Sequence, residues 1–168
     1  MQFTNINSPV GSLTLVASEI GLAGVYFEEH RHFKGIEGWL RAPDLPIFEQ
    51  VSQQLIEFFA GERITFDVPL DLSGGTAFQQ QVWRALQEIP FGTTLSYGEL
   101  AQHLSNPQAV RAVGAANGRN PISIIIPCHR VIAANGALTG YAGGLKNKQH
   151  LLKFEAEKHQ NFGLQFTQ

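Results

Sequence analysis

Cysteine occurs once in this 168-residue chain, at position 128. A single thiol excludes an internal disulfide and any cysteine-built zinc site, and it fits a reducing compartment. Methionine is confined to the first position, and no apolar run approaches the roughly 20 residues of a membrane span. The opening residues MQFTNINSPVG lack the basic-then-apolar pattern of a secretory signal. The expectation is a cytoplasmic protein with no membrane association. Charged residues are scarce at 15%, yet 43% are hydrophobic, so the composition is globular and excludes disorder.

Positive charge is also in short supply, with a net charge of −2. Taken alone, that argues against a partner made of nucleic acid. The total conceals a split, however. Residues 1–75 set four basic side chains against ten acids, and residues 76–168 set eight against four. Such asymmetry hints that one half meets phosphate, although chance segregation in a two-part protein explains it more simply.

Sequence patterning supports the same division. Residues 12–17 (SLTLVA) and 22–27 (LAGVYF) read as antiparallel strands around a turn at Gly21. Segment 47–60 spaces Ile47, Val51, Leu55 and Phe58 as an amphipathic helix does, and Gly61 ends it. Residues 64–70 (ITFDVPL) predict another strand, with Pro69 at its end or at a sheet edge. The stretch LSGGT at 72–76 then reads as a linker. The fold class expected is α/β: a small N-terminal mixed domain with antiparallel sheet, 1–75, and a mainly helical domain, 76–168.

The second half opens with Thr76 and Gln79 in capping-box positions ahead of Phe78, Val82, Trp83 and Leu86. Ser96 and Glu99 form another box before the short helix SYGELAQHL. After the break SNP, helical spacing resumes in PQAVRAVGAANG. Two short helices around a tight break outline a helix-turn-helix, a signal that many non-DNA-binding proteins share. The β-branched run ISIII predicts a strand that Pro127 halts, and a last helix, KNKQHLLKFEAE, closes the domain.

Chemistry concentrates around Cys128. A lone cysteine is usually a buried small apolar residue. Here Pro127 puts it at the end of the run, His129 follows as a base for the thiol proton, and Arg130 adds positive charge. In a regular strand Cys128 and His129 would face opposite ways, so a turn or a water must connect them. Glu155 lies on the apolar side of the last helix and could orient the histidine. A half-buried carboxylate paired with Lys158 accounts for it equally well.

From Thr76 to about Glu157 the chain resembles the O6-alkylguanine-DNA alkyltransferases. SYGEL, AVRAVGAANGRNP, IPCHRVI, GYAGGLK and LLKFE occur in that family's order and at its spacings. The first 75 residues match only loosely, through SPVGSLTL. The resemblance implies direct-reversal repair: one irreversible transfer of a methyl or other alkyl group from O6 of guanine to Cys128. It leaves O4 of thymine as a second target open, and implies no cofactor and no metal. By the same resemblance His129 is the base that reaches the thiol through water, Glu155 orients it, and Asn120 braces the turn carrying the cysteine. Tyr97 aligns with the hydroxyl that helps rotate the nucleotide out, and Arg111 with the finger that replaces it in the stack. Val131, Tyr141, Ala142 and Gly143 align with the guanine pocket. The implied partner is double-stranded DNA carrying O6-alkylguanine, entered through the minor groove by a monomer, with cooperative binding left open.

Departures from the family's pattern bear on the pocket. Some relatives carry serine where Ala142 stands, methionine in place of Asn117 and proline in place of Ser123. Others bind zinc through N-terminal cysteines, which this chain lacks, and His30 with His32 does not make a metal site. Two rival readings remain: a lesion-binding protein of the same fold, whose known examples lack the cysteine that this chain has, and a cysteine hydrolase, which would turn over repeatedly.

Overall fold

The structure, a computed structural model, describes the backbone of residues 1–166 and side chains through Gln160. Its first half is a four-stranded sheet made of β1 (Gln2–Ser8), β2 (Gly11–Ala17), β3 (Leu22–Phe27) and the short β4 (Leu40–Arg41). The order is β3-β2-β1-β4, antiparallel except for β4 against β1. Strands β2 and β3 fall where the short apolar runs predict them. Strand β1 carries no such signal because Thr4, Asn5 and Asn7 dilute it. Asn5 finds its partner across the ladder, donating to Thr14 Oγ1 at 2.8 Å.

Helix α1 (Pro46–Phe59) packs Phe48, Val51, Leu55 and Phe58 onto the sheet. Proline suits the first helical turn, where its missing N–H costs nothing. Gly61, at φ +78°, ends the helix by returning its N–H to Phe58 O.

The strand expected at 64–70 does not form. Only Leu70 bridges to Leu22, and the backbone of Asp67 is satisfied by a side chain instead. Gln54 donates to Asp67 O at 2.9 Å and accepts from Asp67 N at 2.9 Å, taking the place of a neighbouring strand. Nor is the LSGGT stretch a loose linker. Asp71 accepts from Ser18 and Ser73, and a Cβ added to Gly75 would lie 2.3 Å from the Trp83 ring.

The second half is built on α2 (Ala77–Leu86), α3 (Tyr97–His103), α4 (Val110–Gly118) and α5 (Leu145–Phe166). Both capping boxes are formed, Thr76 with Gln79 and Ser96 with Glu99. Helices α3 and α4 pack together as the two arms of a helix-turn-helix, and α2 backs α4 through Trp83 Nε1, which donates to Ala116 O. A small parallel pair, β5 (Leu95–Ser96) with β6 (Val131–Ile132), ties the start of α3 to the segment after Cys128. Among the described residues, no helix is long and apolar enough to cross a membrane.

The run ISIII is not a strand either. Its residues are all buried, but they wind through turns, and Ile124 takes φ +72°, unusual for a β-branched residue. Hydrophobicity put this run in the core, and its backbone partners decided its shape. Asn120 accepts from Ile122 N and donates to Ile126 O at 2.8 Å, while Val25 and Pro121 complete the bonding from β3.

The core runs unbroken through both halves. Phe58 on α1 meets Phe66, Phe91 and Phe154 at ring-centroid distances of 5.4, 5.8 and 5.4 Å, joining three parts of the chain. Phe58→Ala should therefore cost about 3–5 kcal/mol and lower the stability of both halves together. Urea unfolding followed by circular dichroism and by tryptophan fluorescence checks this. Two separated transitions, only one of them shifted, would contradict a shared core.

Candidate active site

Cys128 opens a single turn of 3-10 helix, Cys128–Arg130, instead of ending a strand. Pro127 stops the preceding turns and leaves its own carbonyl to accept from Arg130 N at 3.0 Å. The tight turn fans three consecutive side chains around one axis, and all three are buried. It thus supplies the bend that a strand would have denied to Cys128 and His129.

Helix α5 delivers the carboxylate. Glu155 Oε2 lies 2.8 Å from His129 Nε2, and Glu155 Oε1 accepts from Arg130 Nε at 2.6 Å. Arg130 also donates through Nη1 to Ile89 O at 2.6 Å. Lys158, the alternative partner weighed for Glu155, lies over the Phe154 ring instead. Burial pushes the Glu155 carboxyl up, but hydrogen bonds and charge from His129 and Arg130 outweigh it and hold the group ionised, below its ordinary range. Burial holds His129 below its ordinary value, with Glu155 opposing and Arg130 and Lys148 adding to the depression. The resting imidazole is therefore neutral. Since Nε2 faces a carboxylate, Nε2 carries the proton, and Nδ1 keeps a lone pair. That Nδ1 is buried and has no hydrogen-bond partner among the described residues.

Burial also pushes the Cys128 thiol up, offset in part by Asn120, Lys148 and Tyr141. The resting sulfur is accordingly a thiol. Lys148 is fully buried, donating from Nζ to Val131 O at 2.7 Å and Thr139 O at 3.1 Å. Sequence reasoning missed it. The signal was available, since 148, 151, 152 and 155 recur at the three- and four-residue spacing of one helix face. With His129 neutral, Glu155 and Arg130 cancel, so Lys148 leaves one positive charge that a thiolate would balance.

The other predicted residues lie beside the cysteine turn, along a neighbouring cleft, or outside both. Asn120, Val131, Tyr141 and Gly143 are buried with the cysteine turn. Asn117 joins them, donating to Cys128 O at 3.4 Å. The Tyr141 phenol lies close enough to Cys128 and Ser123 to feel both, without the alignment of a formed hydrogen bond. Tyr97, Tyr141 and Ala142 line a cleft of about 580 Å³ between α4 and loop 139–142. Tyr97 sits against Gly114 of α4, and its hydroxyl accepts from Thr139 Oγ1 at 3.4 Å. Arg111 does not line this cleft. It is exposed on α4.

Fold and site together define a protein with a buried cysteine on one turn with a carboxylate-bonded histidine, in the half of the chain that carries a helix-turn-helix. Comparison with known proteins narrows this. Residues 77–157 match the family described as "6-O-methylguanine DNA methyltransferase, DNA binding domain". Residues 1–72 match its "ribonuclease-like domain". The chain belongs to the 6-O-methylguanine DNA methyltransferase family. It is 50% identical over 158 residues to the methylated-DNA–protein-cysteine methyltransferase of Methanosarcina acetivorans, covering 92% of this chain and 98% of that one. The protein of the same name from Mycobacterium tuberculosis H37Rv is 48% identical over 158 residues, 94% of each. Among solved structures, the M. tuberculosis OGT bound to DNA superposes with a TM-score of 0.88 at 47% identity, covering 94% of both chains. The Pyrococcus kodakaraensis O6-methylguanine-DNA methyltransferase gives 0.68 at 25% identity, over 92% of this chain and 98% of that one.

The two depressed groups make stability depend on pH in one direction. His129 is neutral in the fold, so the unfolded chain binds more protons once pH drops below about 6.5, and stability declines from there. Glu155 is held ionised, so its contribution is complete above the ordinary carboxylate value of about 4.3 and is lost as pH falls through its lower folded value. Chemical denaturation between pH 8 and pH 3 should show a plateau, then two successive declines. In Glu155→Gln the lower decline should flatten, and an unchanged acid limb would contradict this account.

Proposed function

We propose that this protein repairs DNA by moving an alkyl group from O6 of guanine to Cys128, once per molecule. One observation carries the reading: the only thiol of the chain shares a buried turn with an imidazole whose far nitrogen is held by Glu155. His129 Nδ1 takes the thiol proton through a bridging water, and Glu155 stabilises the imidazolium that results. The sulfur then attacks the alkyl carbon. As the S–C bond forms, the C–O6 bond breaks, and guanine departs with its electron pair while the Tyr97 hydroxyl donates to the purine. The product is a thioether, which offers water no acyl carbon to attack. The cysteine is spent.

DNA is the partner, and the family to which the chain belongs acts on it. In duplex DNA the target lies inside the stack, so the nucleotide must be extruded, at a cost of a few kcal/mol. The cleft bordered by Tyr97, Tyr141 and Ala142 receives it, with the peptide groups of Val131 and Gly143 as further contacts. Residues 1–75 form the structural domain and residues 76–168 the reacting one. The protein acts as a cytoplasmic monomer, with α4 in the minor groove, where small residues such as Gly114 and Ala115 permit close approach and an inserted side chain can hold the duplex open. Asn120 positions the cysteine turn through the backbone of Ile122 and Ile126.

Intact-mass measurement after incubation with excess O6-methylguanine duplex tests the transfer. One methyl group per protein, located at Cys128, is expected, and Cys128→Ala should bind the duplex yet gain none. Several lesions repaired per molecule, or a methyl group elsewhere, would sink the proposal.

Arg111 stands on the exposed face of α4, where it replaces the extruded base. Arg111→Ala should slow transfer from duplex DNA at least tenfold more than transfer from the free alkylated base. Single-turnover rates on both substrates measure it. Equal losses would assign Arg111 to folding or to the chemistry.

A further inference from the structure

The sheet half carries the surplus of acids, yet it sends one segment to the cleft. The strap between β3 and β4 donates a backbone hydrogen bond from Arg31 N to Ala142 O at 2.8 Å, clasping the loop that walls the cleft. Phe27 supports the same loop from below. It meets Tyr141 edge-on at 5.8 Å, and a Cβ on Gly143 would lie 2.2 Å from its ring. His30 locks the start of the strap, its Nδ1 accepting from Phe27 N at 3.2 Å. Burial, with His32 adding to it, pushes His30 down to about 4, so the acceptor persists through neutral pH.

Immediately after this clasp the backbone is strained. His32 takes φ +69°, a conformation that side chains other than glycine avoid and that tends to mark binding sites. The turn presents Arg31 and His32 to the cleft, and Arg119, at the C-terminal end of α4, lines it as well. Arg31, His32 and Arg119 line the same cleft, and slight desolvation with the charges of Arg119 and then Arg31 holds His32 below its ordinary value. All three are exposed, and neither arginine forms an ion pair among the described residues. An arginine at a helix C-terminus is stabilised by the dipole, which accounts for Arg119 alone. It does not account for a second guanidinium brought to the same cleft from the acidic half of the molecule. Two like charges sharing one mouth repel each other, and an anion between them removes that cost.

We propose that Arg31 and Arg119 form a two-sided phosphate clamp that grips the DNA backbone beside the extruded nucleotide. The inference rests on the reading that alkylguanine enters this cleft. It gives the N-terminal half a direct share in DNA binding, which its net charge conceals. The clasp itself uses a main-chain N–H, so replacing the Arg31 side chain removes the charge and leaves the loop held.

The test is the salt dependence of binding to a fluorescent duplex carrying O6-methylguanine, in a Cys128→Ala background that prevents reaction. Each phosphate contact contributes about 0.9 to the log–log slope. Arg31→Gln and Arg119→Gln should each lower the slope by about that amount, and the double variant by twice as much. Lys34→Gln, on the same strap but outside the cleft lining, should leave it unchanged. Melting temperatures of all variants should match the parent, since the substituted side chains are exposed. Slopes equal to the parent's in both arginine variants, with the parent binding normally, would overturn the clamp alone. A parent that does not bind the duplex would overturn the functional reading and the clamp with it.

Discussion

Glu155 is the pivot of the molecule. One buried carboxylate holds His129 by one oxygen and Arg130 by the other, and Arg130 extends the bond to the carbonyl of Ile89. Leaving any member unpaired in so dry a place would cost about 3–5 kcal/mol, so the three are kept together as a unit. Because Glu155 stands on α5 and the others on the cysteine turn, the pairing docks the last helix against the reactive segment. The same contact fixes the tautomer of His129 and with it the direction in which a proton can move. Structure and chemistry depend on one arrangement.

The site is quiet at rest. Burial disfavours both the thiolate of Cys128 and the imidazolium of His129, so the pair stays neutral without a substrate. Lys148 biases the balance the other way, placing an uncancelled positive charge within the field of the sulfur. Under the proposed transfer, a sulfur held as a thiol in a packed interior is protected from oxidation and stray alkylation before its single use.

Much of this was legible before the fold was known. The capping boxes at Thr76 and Ser96 follow from side chains three residues apart, the helix from Pro46 to Phe59 from its apolar spacing, and strands β2 and β3 from short apolar runs around a turn. Local residue chemistry singled out Cys128 and His129, the family resemblance added Glu155 and Asn120, and the structure brings these four together. The failures share a cause. Residues 64–70 and the run ISIII both look like strands, and both lose their strand partners to the side-chain amides of Gln54 and Asn120. A β-branched run announces burial, but the ladder that would make it a strand belongs to other parts of the chain.

The sequence by itself determined which residues could react, because nucleophile, base and carboxylate are matters of residue type, and their order along the chain is that of the family. It also determined the helix starts, where side chains three residues apart settle the backbone donors. Only the tertiary structure decided that Cys128 lies on a 3-10 turn, that Arg130 shares the carboxylate with His129, and that a buried Lys148 holds the pocket loop. It alone brought Arg31 from the acidic half beside Arg119. Burial, charge pairing and backbone satisfaction are set by neighbours distant in sequence, and no local pattern reports which neighbours those will be.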